Sequence, residues 1–185
     1  MRSIIENGLL SHNRAHREGY VTRDISLQEV NDRRGFKNVY GRPLHGYVPL
    51  YFNPRNPMLA YRRAMQDSIA ILYLDKSLLF QDEIVIADGN AANNATAFYR
   101  GLQNLDKLDW QCINFPGNNW HIIENGRQVT RVENRRKRCA EILIPDMISA
   151  QFIEQVAVQT RATLLALDES IRRRIKVVVR PELYF

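Results

Sequence analysis

Two side chains of opposite charge stand where each could act on a charged ligand. Glu141 opens the apolar run 141–144, so a rigid strand would hold its carboxylate. A carboxylate held in this way can stabilise positive charge that develops in a transition state. Arg34 lies in a polar stretch with five arginines between positions 14 and 34, and its planar guanidinium can bind a phosphate or a base. The alternative for Glu141 is a surface salt bridge. Arg34 could instead be a solvated side chain, and the neighbouring Arg33 could then be the arginine that binds the ligand.

A run of four cations directly precedes this glutamate. Arg135, Arg136 and Lys137 are followed by Arg138, and such a run can bind phosphates without reading base sequence. Trp120 lies next to two asparagines in a predicted loop, where its ring could stack on an unpaired base. The alternatives are a solvated charge run for the cations and a core position for the tryptophan.

Other kinds of catalytic site have little support in the sequence. His45 and His121 lack partners at the spacing of metal ligands. Walker, Rossmann and Ser-His-Asp patterns are absent from the sequence. A metal-dependent nuclease built on Asp82 and Glu83 would need a lysine or histidine in a matching constellation, which the sequence does not show. We therefore expect a site without a metal.

The elements that must position these residues follow an α+β pattern. Apolar, β-branched runs predict strands at residues 46–52, 68–75, 83–87, 141–144 and 176–179. Helical spacing of apolar residues predicts helices at residues 3–10, 57–65, 91–108, 148–158 and 162–170. Two long segments, 11–46 and 109–138, are predicted as loops, and loops of this length are usually functional.

Composition limits the class of protein. The chain has 185 residues, 45% of them hydrophobic and 25% charged, which is typical of one globular domain and excludes a disordered tail. A net charge of +6 favours polyanionic partners. No apolar run approaches the roughly 20 residues of a membrane span. We therefore predict a protein that does not engage a membrane. Cys112 and Cys139 are expected to be reduced thiols, which predicts a cytoplasmic protein.

The most distinctive segment is LHGYVPLYFNPRNPM, at residues 44–58. It closely resembles the LHDYVPFYF-x-PRSPM signature of the DarT family, toxin ADP-ribosyltransferases that modify bases in single-stranded DNA. Residues 87–110 also resemble the middle region of that family. Arg34, before GFKNV, matches the functional arginine of the family, and Glu141, in RCAEIL, matches its catalytic glutamate. The resemblance extends over nearly the whole chain.

The resemblance implies one ADP-ribosyltransferase-like domain over residues 1–185, α+β with a split mixed β-sheet and flanking helices. It implies NAD as the substrate, with Glu141 stabilising charge on the ribose and Arg34 assisting the proton shift at the acceptor base. Gly8, Asn13 and Arg34 would contact NAD. The implied partners are single-stranded DNA and a macrodomain antitoxin that reverses the modification.

The sequence departs from the family pattern at its N-terminus. Family members normally begin with a strand that carries a histidine-containing motif, ahead of the segment equivalent to NGLL at residues 7–10. Here Met1 stands shortly before that segment and the strand is absent, which predicts weak NAD binding. The alternative function is therefore a catalytically impaired, truncated remnant of the same fold that binds nucleic acid.

Overall fold

Short helices and strands alternate in the computed structural model, which describes residues 1–21, 28–117, 121–125 and 127–185. The described helices are α1 (Arg2–Asn7), α2 (His12–Arg17), α3 (Gln28–Gly35), α4 (Pro57–Tyr61), α5 (Trp110–Asn114), α6 (Val132–Lys137), α7 (Arg161–Ala166) and α8 (Glu169–Arg174). The described strands are β1 (Leu9–Leu10), β2 (Asn38–Val39), β3 (Arg42–Pro43), β4 (Tyr47–Tyr51), β5 (Ala70–Leu74), β6 (Val85–Ala87), β7 (Phe98–Arg100), β8 (His121–Glu124), β9 (Arg127–Thr130), β10 (Glu141–Pro145), β11 (Met147–Ile148), β12 (Ile153–Val158) and β13 (Lys176–Val179).

The central sheet has four antiparallel strands in the order β4-β10-β6-β7. The first four residues of β10 are buried, as expected for an apolar strand with neighbours on both sides. Its first residue, Glu141, lies opposite Tyr51 of β4 and Ala87 of β6. Because directly opposite residues project to the same face of a sheet, these three side chains share one face.

A second sheet has three strands in the order β13-β12-β5, with β12 parallel to β13 and antiparallel to β5. Shorter two-stranded pairings join β1 to β11, β2 to β3 and β8 to β9. The predicted α+β class is confirmed, and the two main sheets agree with a split β-structure that is partly parallel. None of the helices in the described ranges is long and apolar enough to cross a membrane.

The core divides at the central sheet. On the face of Glu141, a buried cluster forms between the sheet and the β2–β3 hairpin; it contains Val39, Leu44, Tyr47, Val85, Ala87, Ala91 and Leu143. On the opposite face, alternate residues of the same strands, such as Ile142 and Ile144, pack into a second cluster with Val48 and Ile148. Both faces of β10 are therefore fixed by packing, which holds its first residue in a defined place.

The predicted helix at residues 91–108 is wrong. The segment forms a turn, then β7, then a 3-10 helix at Leu102–Lys107. Polar side chains satisfy backbone N–H groups locally: Asn90 accepts from Ala92, and Asn93 from Ala95. Such bonds compete with helix formation, and Gly101, at φ +78°, breaks the chain direction again.

The predicted helix at residues 148–158 is also wrong, because Ile153–Val158 forms the middle strand of the second sheet. Its β-branched residues favour a strand once partners are available on both sides. The two predicted loops contain regular structure as well. Residues 11–46 include α2, α3 and the β2–β3 hairpin, and residues 109–138 include α5, the β8–β9 pair and α6.

Candidate active site

Glu141 is a fully buried carboxylate at the start of β10. Residues 138–140 connect α6 to this strand, and the Cys139 and Ala140 N–H groups donate to carbonyls of the last turn of α6. Oε1 of Glu141 accepts the Ala91 N–H at 2.9 Å. Nη1 of Arg34 donates to Oε2 at 3.1 Å and to Oε1 at 3.4 Å. The carboxylate is thus fixed by packing, a backbone amide and a guanidinium.

Arg34 reaches this carboxylate from the last turn of α3. Its side chain is 14% exposed, so the ion pair lies at the edge of the interior, where a ligand can approach it. The neighbouring Gly35 packs against the His45 ring, which stacks on His12 of α2 with ring centroids 4.1 Å apart. The structure therefore brings together the two residues predicted to be catalytic, although 107 positions separate them.

Tyr51 is a site residue that our sequence reasoning did not single out. It lies opposite Glu141 on the same sheet face and is 40% exposed. Burial of the hydroxyl and the nearby Glu141 carboxylate nevertheless raise its pKa well above the ordinary value. The phenol therefore stays protonated and can donate a hydrogen bond. The signal was available, because Tyr51 ends the strand of the recognised motif.

Lys37 is a second residue that we did not predict. Its Nζ donates to the main-chain carbonyls of Ala91 at 3.0 Å and Asn93 at 2.7 Å. Burial lowers the pKa of this lysine most, and the positive charge of Arg34 lowers it further. It follows Arg34 by three positions in the sequence, so one short segment supplies two cations to the site.

The two other predicted NAD contacts are Gly8, at the end of α1, and Asn13, on α2. Gly8 ends α1 at φ +81°, its N–H donates to the Ile4 carbonyl at 2.8 Å, and a Cβ there would lie 2.2 Å from the Ile148 oxygen. Chain packing therefore explains why the position is a glycine, and the contact of Gly8 with NAD stays a prediction. Asn13 is exposed on α2, next to His12, and its contact with NAD stays a prediction.

The four-cation run does not form one basic surface. Arg135 is exposed, but Arg136 is 6% exposed and pairs with Asp88 and Glu133. Lys137 is half-buried and binds Asp109 at 3.0 Å. Phosphate binding by Arg136 is therefore corrected, because its guanidinium is already bound inside the protein. Trp120 lies outside the described residues, and its predicted contact with DNA stays a prediction.

The alternative nuclease pair has a different environment. Asp82 and Glu83 are exposed, and Glu83 lies 3.5 Å from Arg42. Within the described ranges, no three His, Cys, Asp or Glu side chains are grouped so that they could hold a metal ion. Cys112 and Cys139 are buried and form no disulfide bond, as predicted.

The whole sequence, residues 1–185, matches the family described as ssDNA thymidine ADP-ribosyltransferase, DarT. The chain belongs to the DarT family. It is 29% identical over 191 residues to a Thermosipho africanus protein named as a DNA ADP-ribosyl transferase–DNA ADP-ribosyl glycohydrolase fusion, with 99% of this chain and 46% of that protein covered. A structure of the Thermosipho africanus protein DarTG with ADP-ribose superposes with a TM-score of 0.81 at 26% identity, covering 99% of this chain and 48% of that one.

A second DarT relative is the DNA ADP-ribosyl transferase of Thermus sp. 2.9, 28% identical over 200 residues, with 100% of this chain and 91% of that protein covered. Its structure with ADP-ribosylated ssDNA superposes with a TM-score of 0.80 at 24% identity, covering 100% and 90% of the two chains. Another structure of it contains NAD+. The chain thus spans about half of the Thermosipho fusion protein but most of the Thermus protein, and the predicted ADP-ribosyltransferase-like fold is confirmed.

Proposed function

We propose that this chain transfers ADP-ribose from NAD to thymidine in single-stranded DNA. The observation that carries the proposal is the buried Glu141 carboxylate, paired with Arg34 beside the accessible ring of Tyr51. Membership of the DarT family indicates NAD as the donor and thymidine in single-stranded DNA as the acceptor. The assignment of both ligands is supported by structures of the Thermus sp. 2.9 relative, which contain NAD+ and ADP-ribosylated ssDNA.

The chemistry requires stabilisation of a developing cation. The bond between nicotinamide and the ribose breaks, and its electron pair leaves with nicotinamide. Positive charge then develops on the ribose, and a fixed carboxylate at Glu141 would stabilise it without reorganisation. A nitrogen of the base forms the new bond to the ribose and releases its proton to water. Arg34 keeps its charge throughout, so it would stabilise negative charge on the base as that proton leaves.

One groove is lined by residues that adjoin the ion pair and its partners in sequence. A cavity of about 450 Å³ is lined by Arg33, which adjoins Arg34, and by Asn90, which adjoins the Ala91 amide on Glu141. Arg135 and Tyr61 also line it, and both are exposed. The guanidiniums can neutralise phosphates, and the tyrosine ring can stack on a base. We propose that this groove, called here the α3–α6 groove, receives the single strand.

The biological role we propose is that of a toxin paired with a macrodomain antitoxin that removes the modification. The Thermosipho relative supports this, because it is named as a fusion of a transferase with a glycohydrolase. We also propose a cytoplasmic location, in which the buried thiols Cys112 and Cys139 remain reduced. The alternative of a catalytically impaired remnant is less favoured, because Glu141 and Arg34 are paired.

The proposed activity is tested with NAD labelled in its ADP-ribose part and two oligonucleotides that differ at one position. One contains a single thymidine, and the other has cytidine in its place. We expect label on the thymidine oligonucleotide, and a loss of roughly 10²–10³-fold in rate for Glu141→Gln, since the substitution removes the charge and keeps the shape. Varying NAD in the same assay tests the prediction of weak NAD binding.

A matched control is Glu154→Gln, because Glu154 is an exposed strand glutamate on β12 of the other sheet. This variant should label the oligonucleotide at the rate of the unaltered chain. Labelling by folded Glu141→Gln at that same rate would contradict the role of the carboxylate. Equal labelling of both oligonucleotides would contradict the choice of thymidine.

A further inference from the structure

The peptide that binds the catalytic carboxylate is held in turn by a half-buried cation. The Ala91 N–H donates to Oε1 of Glu141, and the Ala91 carbonyl accepts from Nζ of Lys37. The same ammonium binds the Asn93 carbonyl and lies 5.0 Å from the centre of the Phe98 ring. Lys37 therefore binds two carbonyls of one turn and an aromatic face beside it.

The other end of this turn has its own attachments. The Asn90 N–H donates to the Arg136 carbonyl at 3.0 Å, and the Thr96 hydroxyl donates to the Asn90 carbonyl at 2.6 Å. The first bond fixes Asn90 against α6, and the second lies within the segment 90–96. Lys37 supplies the corresponding bonds at Ala91 and Asn93, on the side of the turn that faces α3 and Arg34.

Lys37 is linked to the reaction centre by its own backbone as well. Its N–H donates to the Arg34 carbonyl at 3.3 Å, and its carbonyl accepts the Leu44 N–H at 2.7 Å. The residue is thus fixed between the arginine of the ion pair and the core. The segment 34–37 therefore positions two groups that orient the carboxylate. It carries the Arg34 guanidinium itself, and it holds the Ala91 amide through Lys37.

We propose that Lys37 is a positioning residue: by binding the Ala91 carbonyl, it fixes the amide that aligns Glu141 for transfer. The proposal rests on the proposed function, since it concerns the same carboxylate. Deleting an outer partner of a metal ligand costs about 10–100-fold in activity, and we expect a loss of similar size for this outer partner of Glu141. A role confined to stability would instead change the folded fraction and leave the turnover of each folded molecule unaltered.

The test is Lys37→Met, which keeps most of the side-chain volume and removes the three donors. We expect kcat per folded molecule to fall about 10–100-fold while KM for NAD changes less than about threefold. Lys76→Met is the matched control, because Lys76 is exposed on the turn after β5, and it should leave both constants unchanged. Unaltered kcat in folded Lys37→Met, or a rise in KM alone, would overturn the proposal.

Hydrogen exchange at the Ala91 amide provides a readout that does not depend on activity. In Lys37→Met it should accelerate about tenfold or more, while the Leu143 amide of β10 exchanges at its former rate. Unchanged exchange at Ala91 would overturn the positioning role even if the chain transfers no ADP-ribose. An unaltered chain that does not label DNA would contradict the proposed function alone, so the two failures are distinguishable.

Discussion

Two neighbouring arginines, Arg135 and Arg136, should respond to the same substitution in opposite ways. The Arg136 side chain is 5% exposed. It donates to Asp88 at 2.5 Å and to Glu133 at 2.6 and 2.9 Å. Arg135 is exposed in the α3–α6 groove. Methionine at either position removes the charge and retains a flexible stem, so only the environment differs.

The expected size of the Arg136 effect follows from its partners. Removing one member of a buried ion pair typically lowers stability by about 3–5 kcal/mol. Glu133 is 56% exposed and Asp88 20% exposed, so water can partly replace the lost guanidinium. We therefore expect Arg136→Met to reduce the free energy of unfolding by about 3 kcal/mol, at the lower end of that range. In a chain of this size, Tm should fall by about 6–12 °C.

The Arg135→Met variant should keep its stability within about 0.5 kcal/mol, as is usual for surface substitutions. Its DNA binding should weaken, and the slope of log affinity against log salt should flatten by about 0.7, the loss of one phosphate contact on a single strand. Urea unfolding measures the first quantity, and anisotropy of a labelled oligonucleotide over a range of salt measures the second. If folded Arg136→Met flattened the slope as much as Arg135→Met and kept full stability, its burial would be refuted.

The remaining predictions concern a tight turn and acid stability. Gly8→Ala should destabilise the fold by more than the roughly 1–3 kcal/mol that left-handed backbone strain costs, because its Cβ would also meet the Ile148 oxygen. Gly41 has φ +83° and open space around it, so urea unfolding of Gly41→Ala measures the strain alone. The Cys112 N–H and then Lys137 lower the pKa of Asp109 below its ordinary value. The folded state thus gains stability from this carboxylate above pH of about 4 and loses it as pH falls through the lowered pKa. Unfolding measured against pH should therefore show a shallower acid loss for Asp109→Asn, and an unchanged profile would contradict the pairing.

The sequence pattern predicted secondary structure correctly where the residues of one segment are enough to determine its conformation. The bounds of β4 and β10 were predicted to within one residue, since each is a short run of apolar, β-branched or aromatic residues. The same runs carried the family motif and Glu141. Segments with mixed signals failed: residues 91–108 have helical spacing, but their asparagine side chains bind backbone N–H groups and stop a helix from forming.

The sequence alone determined the family, the α+β class, and Glu141 and Arg34 as the charged pair to examine. Only the tertiary structure decided that Lys37 and the Ala91 amide hold that pair, and that Arg136 is buried. The reason is geometric. Successive residues of a helix project in directions about 100° apart, so a run of charges does not show which member faces the interior. Arg136 is buried because Asp88, 48 positions earlier, lies within 2.5 Å of it, and a partner so distant in sequence becomes visible only when the chain is folded.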